Sequence, residues 1–143
     1  MKETLSVINK TKSRIPVLPI LRIKNDILGP KYSLSIAYVN EKTSRELNKK
    51  WRHKDCPTNV LSFSLSKNSG ELILAPSVIK KETKKFNKNF RDLLGFLVIH
   101  GMLHLKGMSH SSRMERAEQK NDKKYFGGHR RGHPHDESRR GRV

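Results

Sequence analysis

Apolar residues recur along this chain in two rhythms, and the changes of rhythm mark its elements. Leu34, Ile36 and Tyr38 alternate with Ser33, Ser35 and Ala37, the period of two that turns one side of a strand into a core. Residues 60–65 and 71–75 predict two further strands, joined as a hairpin by a turn over 67–70, and residues 5–8 predict a short strand ahead of them. Residues 16–28 carry Val17, Leu18, Ile20, Leu21, Ile23, Ile27 and Leu28, which suits a short helix packed on a sheet and stopped by Gly29-Pro30. Asn40 followed by Glu41 reads as a helix start, with Leu47 and Trp51 on one side at i, i+4. A polar loop follows over 53–59. Pro76 opens a basic helix through about Asn87.

Residues 90–105 are apolar almost all round (Phe90, Leu93, Leu94, Phe96, Leu97, Val98, Ile99, Met102, Leu103 and Leu105), as in a central, buried helix. A charged helix over 111–120 is capped by Ser111 or Ser112, with Glu115 nearby. Together these predict an α/β fold of α+β type: a small mixed sheet packed with helices around one buried apolar helix. Residues 1–126 form one domain. Residues 127–143 are Gly, Arg, His, Pro and Ser with a single apolar residue, Val143, so this end is expected to be a disordered basic tail, and its low complexity suits a non-native extension. His129, His133 and His135 within it are discounted as a second metal tract for the same reason.

The buried helix also carries the chemistry. His100, His104 and His110 stand at i, i+4 and i+10, with Gly107 three residues after the second. One helical turn places His100 and His104 on the same face. Gly107 can end the helix in the left-handed conformation, and the returning chain can deliver His110 as a third ligand. Three neutral imidazoles with an open fourth position describe a catalytic zinc site. The spacing is that of the metzincin proteases, but Gly101 stands where their general-base Glu would be. Peptide hydrolysis is therefore disfavoured.

Charge narrows the substrate. The chain has a formal charge of +18, and five arginines against two carboxylates put only +3 of it in residues 127–143, leaving +15 on the body. A field of that sign gathers polyanions, so RNA or DNA is the natural partner. Lys49, Lys50, Lys54, Lys80, Lys81, Lys84 and Lys85 are candidates for a surface that tracks phosphates. Cys56 is the only cysteine, which permits no internal disulfide and fits a reducing cytoplasm. A polar, charged start and the lack of any long apolar run predict a soluble protein with no membrane span.

Two long motifs then resemble one family. His100–His110 is similar to the H-G-x-L-H-L-x-G-x-x-H signature of the YbeY endoribonucleases, and residues 48–64 resemble that family's N-x-x-[YW]-R-x-K-D-x-P-T-[DN]-V-L-S-F block. Gly70-Glu71-Leu72-Ile73-Leu74 stands where the family has G-D-[IL]-x-[IL], and the resemblance covers about residues 30–115. It implies one Zn2+ per chain on His100, His104 and His110, and single-strand-specific endoribonuclease activity in 16S ribosomal RNA 3′-end maturation and ribosome quality control. Ribosomal RNA and the small ribosomal subunit are the implied partners. The family's functional arginine falls on Arg52. Ser109 replaces the family's usual Asp before the last histidine, which touches any contact or proton relay at that position but not the ligands.

On this reading Arg52 stabilises the charge that develops on the phosphorane. The nucleophile stays open between a metal hydroxide and the RNA's own 2′-hydroxyl. Lys54, Thr58 and Asn59 are candidate RNA contacts, although Thr and Asn at a loop entering a strand more often cap or turn the backbone. Trp51, at i+4 from Leu47, is expected to be packing rather than a platform for a base. The rival readings are a non-catalytic, zinc-stabilised ribosome-assembly factor and a different metallohydrolase.

Overall fold

The computed structural model describes residues 4–109 and 111–127; the expectations for the tail and for His110 lie outside them. The strands are β1 (Leu5–Asn9), β2 (Ser33–Tyr38), β3 (Val60–Ser66) and β4 (Ser69–Leu74). The helices are α1 (Ile20–Ile27), α2 (Glu41–Arg52), α3 (Pro76–Lys81), α4 (Thr83–Phe86), α5 (Phe90–Leu105) and α6 (Ser112–Phe126). The sheet runs β1-β2-β4-β3, with β1, β2 and β4 parallel and β3 antiparallel at the edge. The mixed sheet and the hairpin are both present. The hairpin turn is tighter than expected, reduced to Lys67-Asn68, so β4 starts at Ser69.

Alternation along the strands separates two cores. Leu34, Ile36 and Tyr38 of β2, with Leu72 and Leu74 of β4, join Ile20, Ile23 and Ile27 of α1 and the apolar residues of α5 in the main cluster. Ala37, Val39, Leu61 and Ile73 face the other way and form a small second cluster, against which Leu47 of α2 and Phe63 pack. Leu93, Leu94, Leu97, Val98, Ile99 and Met102 of α5 have no exposed surface, which is the burial on all sides that the sequence predicts. Among the described residues no helix is long and apolar enough to cross a membrane.

Three helices depart from expectation. The first begins at Ile20, not residue 16, because Pro19 has no N–H to donate and disfavours helical backbone at Leu18; Pro19 is the N-cap. The single basic helix expected over 76–87 is divided at Glu82 (φ −101°, ψ 2°), whose carboxylate accepts from Asn59 Nδ2 at 2.9 Å. Asn87, left-handed at φ 54°, ends the second piece. The last helix is capped by Ser111, which accepts from Met114 N at 3.2 Å, and continues past Lys120 to Phe126. Met114, Glu118, Asp122 and Phe126 form its buried stripe at four-residue spacing. Gly95 of α5 lies beneath the Phe126 ring, where any Cβ would collide with it.

One buried charge organises the entry to β2. Lys24 has no exposed surface, and its Nζ donates to the carbonyls of Gly29 (3.1 Å), Pro30 (3.3 Å) and Tyr32 (2.9 Å). Burial pushes its pKa below the usual lysine value. The three carbonyls offset part of that desolvation.

Candidate metal centre and its cationic neighbour

The candidate site is built on the last turns of α5. Asn89 caps the helix start by accepting from Asp92 N at 2.8 Å. At the other end Gly107 adopts φ +105°, Gly107 N donates to His104 O at 2.9 Å, and Met108 N donates to Leu103 O at 3.1 Å. The reversal predicted from Gly107 is thus present. It carries the Met108 carbonyl to His104 Nδ1, 3.1 Å away. A carbonyl can only accept, so Nδ1 of His104 carries the proton and Nε2 presents its lone pair.

His100 is oriented from another helix. Its Nδ1 is in short contact with a carboxylate oxygen of Glu118, on the buried stripe of α6. A carboxylate oxygen likewise accepts, which leaves the lone pair of His100 on Nε2. The two rings meet nearly edge to face (83°, centroids 4.6 Å apart), and their Nε2 atoms converge to 3.1 Å. Two lone pairs at that separation repel unless a cation or a proton lies between them. Two ligands of a tetrahedral zinc, with Zn–N of about 2.0–2.1 Å, stand about 3.3 Å apart. The donor set therefore fits a borderline metal ion, and each imidazole already has the partner that fixes its tautomer.

Among the described residues no three His, Cys, Asp or Glu side chains gather around one point, and His110, the third predicted ligand, lies outside them. Gly101 explains the departure from the protease motif. A Cβ there would sit 2.7 Å from Leu72 Cδ2 and 3.2 Å from Ser62 Oγ, and Ser62 Oγ donates to the Gly101 carbonyl at 3.2 Å. This side of the helix lies against the sheet, leaving no room for a general-base glutamate. Beyond the helix end, Lys106, Gly107, Met108, Ser109, Ser111 and Arg113 line a polar cleft.

The other predicted residues lie on α2 and the loop after it. Arg52 is the last residue of α2 and is exposed; among the described residues its guanidinium makes no hydrogen bond or ion pair. Arg45, earlier on the same helix, is paired with Asp55 at 2.7 Å. That hydrogen bond holds the Asp55 carboxyl below its usual pKa. Lys54 is exposed. Thr58 is held by its backbone: Ser44 Oγ donates to Thr58 O at 2.7 Å and accepts from Thr58 N at 2.9 Å. Asn59 is tied to Glu82, and Asn48 Nδ2 donates to the Cys56 carbonyl at 2.8 Å. Lys81, one of the expected phosphate-tracking lysines, pairs with Glu41 at 3.0 Å. Trp51 overturns an expectation. It is 57% exposed, with one edge against Phe63 and the rest of the ring in solvent.

The contacts made by Glu118, Met108, Ser44 and Asn48 set this geometry, and a reading of motifs alone does not reveal them. The four-residue spacing of Met114, Glu118 and Asp122 is the signal that could have found Glu118, since it puts the carboxylate on the buried face.

Fold and site together define a small α/β domain whose buried helix presents paired imidazole donors. A family model described as Endoribonuclease YbeY matches residues 6–126. The chain belongs to the YbeY family. Endoribonuclease YbeY of Francisella philomiragia subsp. philomiragia is 35% identical over 133 residues, spanning 82% of this chain and 84% of the relative. That of Colwellia psychrerythraea is 42% identical over 94 residues, or 61% of each chain. The solution structure of TM1509 from Thermotoga maritima superposes with a TM-score of 0.61 at 26% identity, covering 86% of this chain and 89% of that one.

Proposed function

We propose that this chain is a metal-dependent, single-strand-specific endoribonuclease acting in the cytoplasm on ribosomal RNA. Its role would be 3′-end maturation of 16S ribosomal RNA and ribosome quality control, with the small ribosomal subunit as partner. His100, His104 and His110 would hold one zinc ion per chain. The reading is carried by the convergence of His100 Nε2 and His104 Nε2 at 3.1 Å, with both Nδ1 atoms engaged by acceptors. The YbeY relatives, named endoribonucleases, support the activity.

A zinc ion held by His100, His104 and His110 would supply Lewis acidity and a nearby water of near-neutral pKa. Everything else comes from the chain. Glu118 and the Met108 carbonyl hold each imidazole in one tautomer, so no rearrangement is needed when charge develops. Arg52, exposed at the end of α2 with no competing carboxylate among the described residues, would offer paired donors to a phosphate of the bound RNA. Lys54 extends that positive field along the strand. Thr58 and Asn59, anchored to Ser44 and Glu82, give the loop its shape.

The test is cleavage of a labelled single-stranded RNA by zinc-loaded protein beside His104→Ala and Arg52→Ala, with zinc assayed on each. His104→Ala is expected to lose both zinc and cleavage. Arg52→Ala should keep its zinc while cleavage falls by about 10²–10³-fold, the size of losing one donor to a developing anion. Equal cleavage by all three proteins would mark a contaminating nuclease and return the chain to the assembly-factor reading. A DNA strand of the same sequence should resist if the 2′-hydroxyl attacks.

A further inference from the structure

Trp51 stands where an apolar ring gains little by standing. One turn earlier on α2, Leu47 packs into the small second cluster, yet Trp51 is 57% exposed. Its position is still fixed. The ring meets Phe63 of β3 nearly edge to face, with centroids 6.0 Å apart and planes at 68°. Phe63 itself is braced against the second cluster. The indole is therefore a supported ledge, not a loose side chain.

The chemistry around it selects an occupant. Every other residue from 49 to 54 is basic: Lys49, Lys50, Arg52, His53 and Lys54. Asp55, the first acid after them, is neutralised by Arg45. Lys50 places its Nζ 5.2 Å from the centre of the Trp51 ring, so an ammonium already marks the ledge and can move to a phosphate. An exposed aromatic ring with an ammonium over it, in a basic stretch of chain, is the pattern of single-stranded nucleic-acid binding: the ring takes a base by stacking while the cations follow the backbone.

The ledge also lies back to back with the histidine helix. On β3, Ser62 reaches the Gly101 carbonyl of α5, and the next residue, Phe63, supports Trp51 on the opposite side of the sheet. Since β3 is the edge strand, nothing in the sheet lies beyond it to block a strand passing from one side to the other.

We propose that Trp51 is a base-stacking subsite, gripping an unpaired nucleotide of the RNA on the face of the sheet opposite the histidines. This deepens the ribonuclease reading and rests on it. The required occupant is an unstacked base, so the ledge itself would favour single strands over duplexes.

Trp51 is the only tryptophan in the chain, so its emission reports this one ring. Short oligouridylate is mixed with the full chain in a stopped-flow instrument, and quenching is recorded before turnover. Anisotropy of a labelled copy measures binding independently. Saturable quenching is expected, with Trp51→Leu binding about 5- to 150-fold more weakly, the range for losing one stacked base. Trp51→Phe should recover much of that loss. In cleavage assays Trp51→Leu should raise KM and leave kcat unchanged, because the ring binds substrate and transition state alike. Binding seen by anisotropy with no quenching and no effect of Trp51→Leu overturns the subsite and leaves the ledge to a protein partner. No RNA binding by the parent chain overturns both this proposal and the ribonuclease reading.

Discussion

Helices α5 and α2 treat their functional side chains in opposite ways. On α5 the apolar surface is enclosed on all sides, His100 is 5% exposed, and both histidines have a fixed acceptor at Nδ1. On α2 the charged C-terminal turn stands in water, with Arg52 unpaired among the described residues and Trp51 braced only by Phe63. The buried helix can hold two nitrogens at one separation because every neighbour resists displacement. The exposed one supplies long-range field and adaptable contacts, which tolerate a moving, polymeric ligand. Precision and capture are thus assigned to different faces of one small sheet, with edge strand β3 between them.

That division can be broken most severely at Gly101. Gly101→Glu, which restores the protease motif, should cost about 4 kcal/mol or more, through overpacking against Leu72 and a charge buried without a partner. Chemical denaturation would measure it, and a stable variant with peptidase activity would refute the account of that position.

Glu118→Gln is the next effect in size. It keeps the volume but loses the carboxylate on His100, so zinc affinity should fall by about 10- to 100-fold with the fold intact, as measured by competition with a chelator. Ser44→Ala sharpens the α2 side. It leaves Thr58 N and Thr58 O without their partner and should cost about 1–3 kcal/mol, with faster hydrogen exchange confined to the loop over 53–59.

The smallest effect lies in acid. Asp55 has its folded pKa below the ordinary 3.8, so its pairing with Arg45 stabilises the protein above that value and is lost as pH falls below it. Both groups are exposed, so Asp55→Asn should change the acid limb of a stability profile only slightly, and salt should erase the difference.

Much of this could be read from residue order. Residues 90–105 are apolar on every side, so only a buried helix satisfies them, and α5 has those bounds. The Asn40 cap and Gly107 reversal were legible because each meets a local backbone requirement. What escaped depends on distant neighbours. Glu118 meets His100 across 18 positions, and nothing near either residue announces the contact. Glu82 interrupts a good helical run while engaged by Asn59, 23 positions away. Trp51 misled because i, i+4 spacing reports a shared helix side, while exposure depends on how far the second cluster extends, and it ends near Leu47 and Phe63. The convergence of the Nε2 atoms likewise needs two tautomers set by two separate partners.

Lys24 offers a last comparison with the histidine pair. Its ammonium is surrounded by the carbonyls of Gly29, Pro30 and Tyr32 much as a chelating loop surrounds an alkali ion. Here the ion is tethered to the polypeptide, so the loop has no empty state: it fills as the chain folds, at any dilution, and no chelator can strip it. The imidazole pair, on the reading proposed above, must acquire its cation from outside. One molecule then holds a cation that dilution and chelators cannot remove and, on that reading, another that they can, and only the second can tie its activity to metal supply.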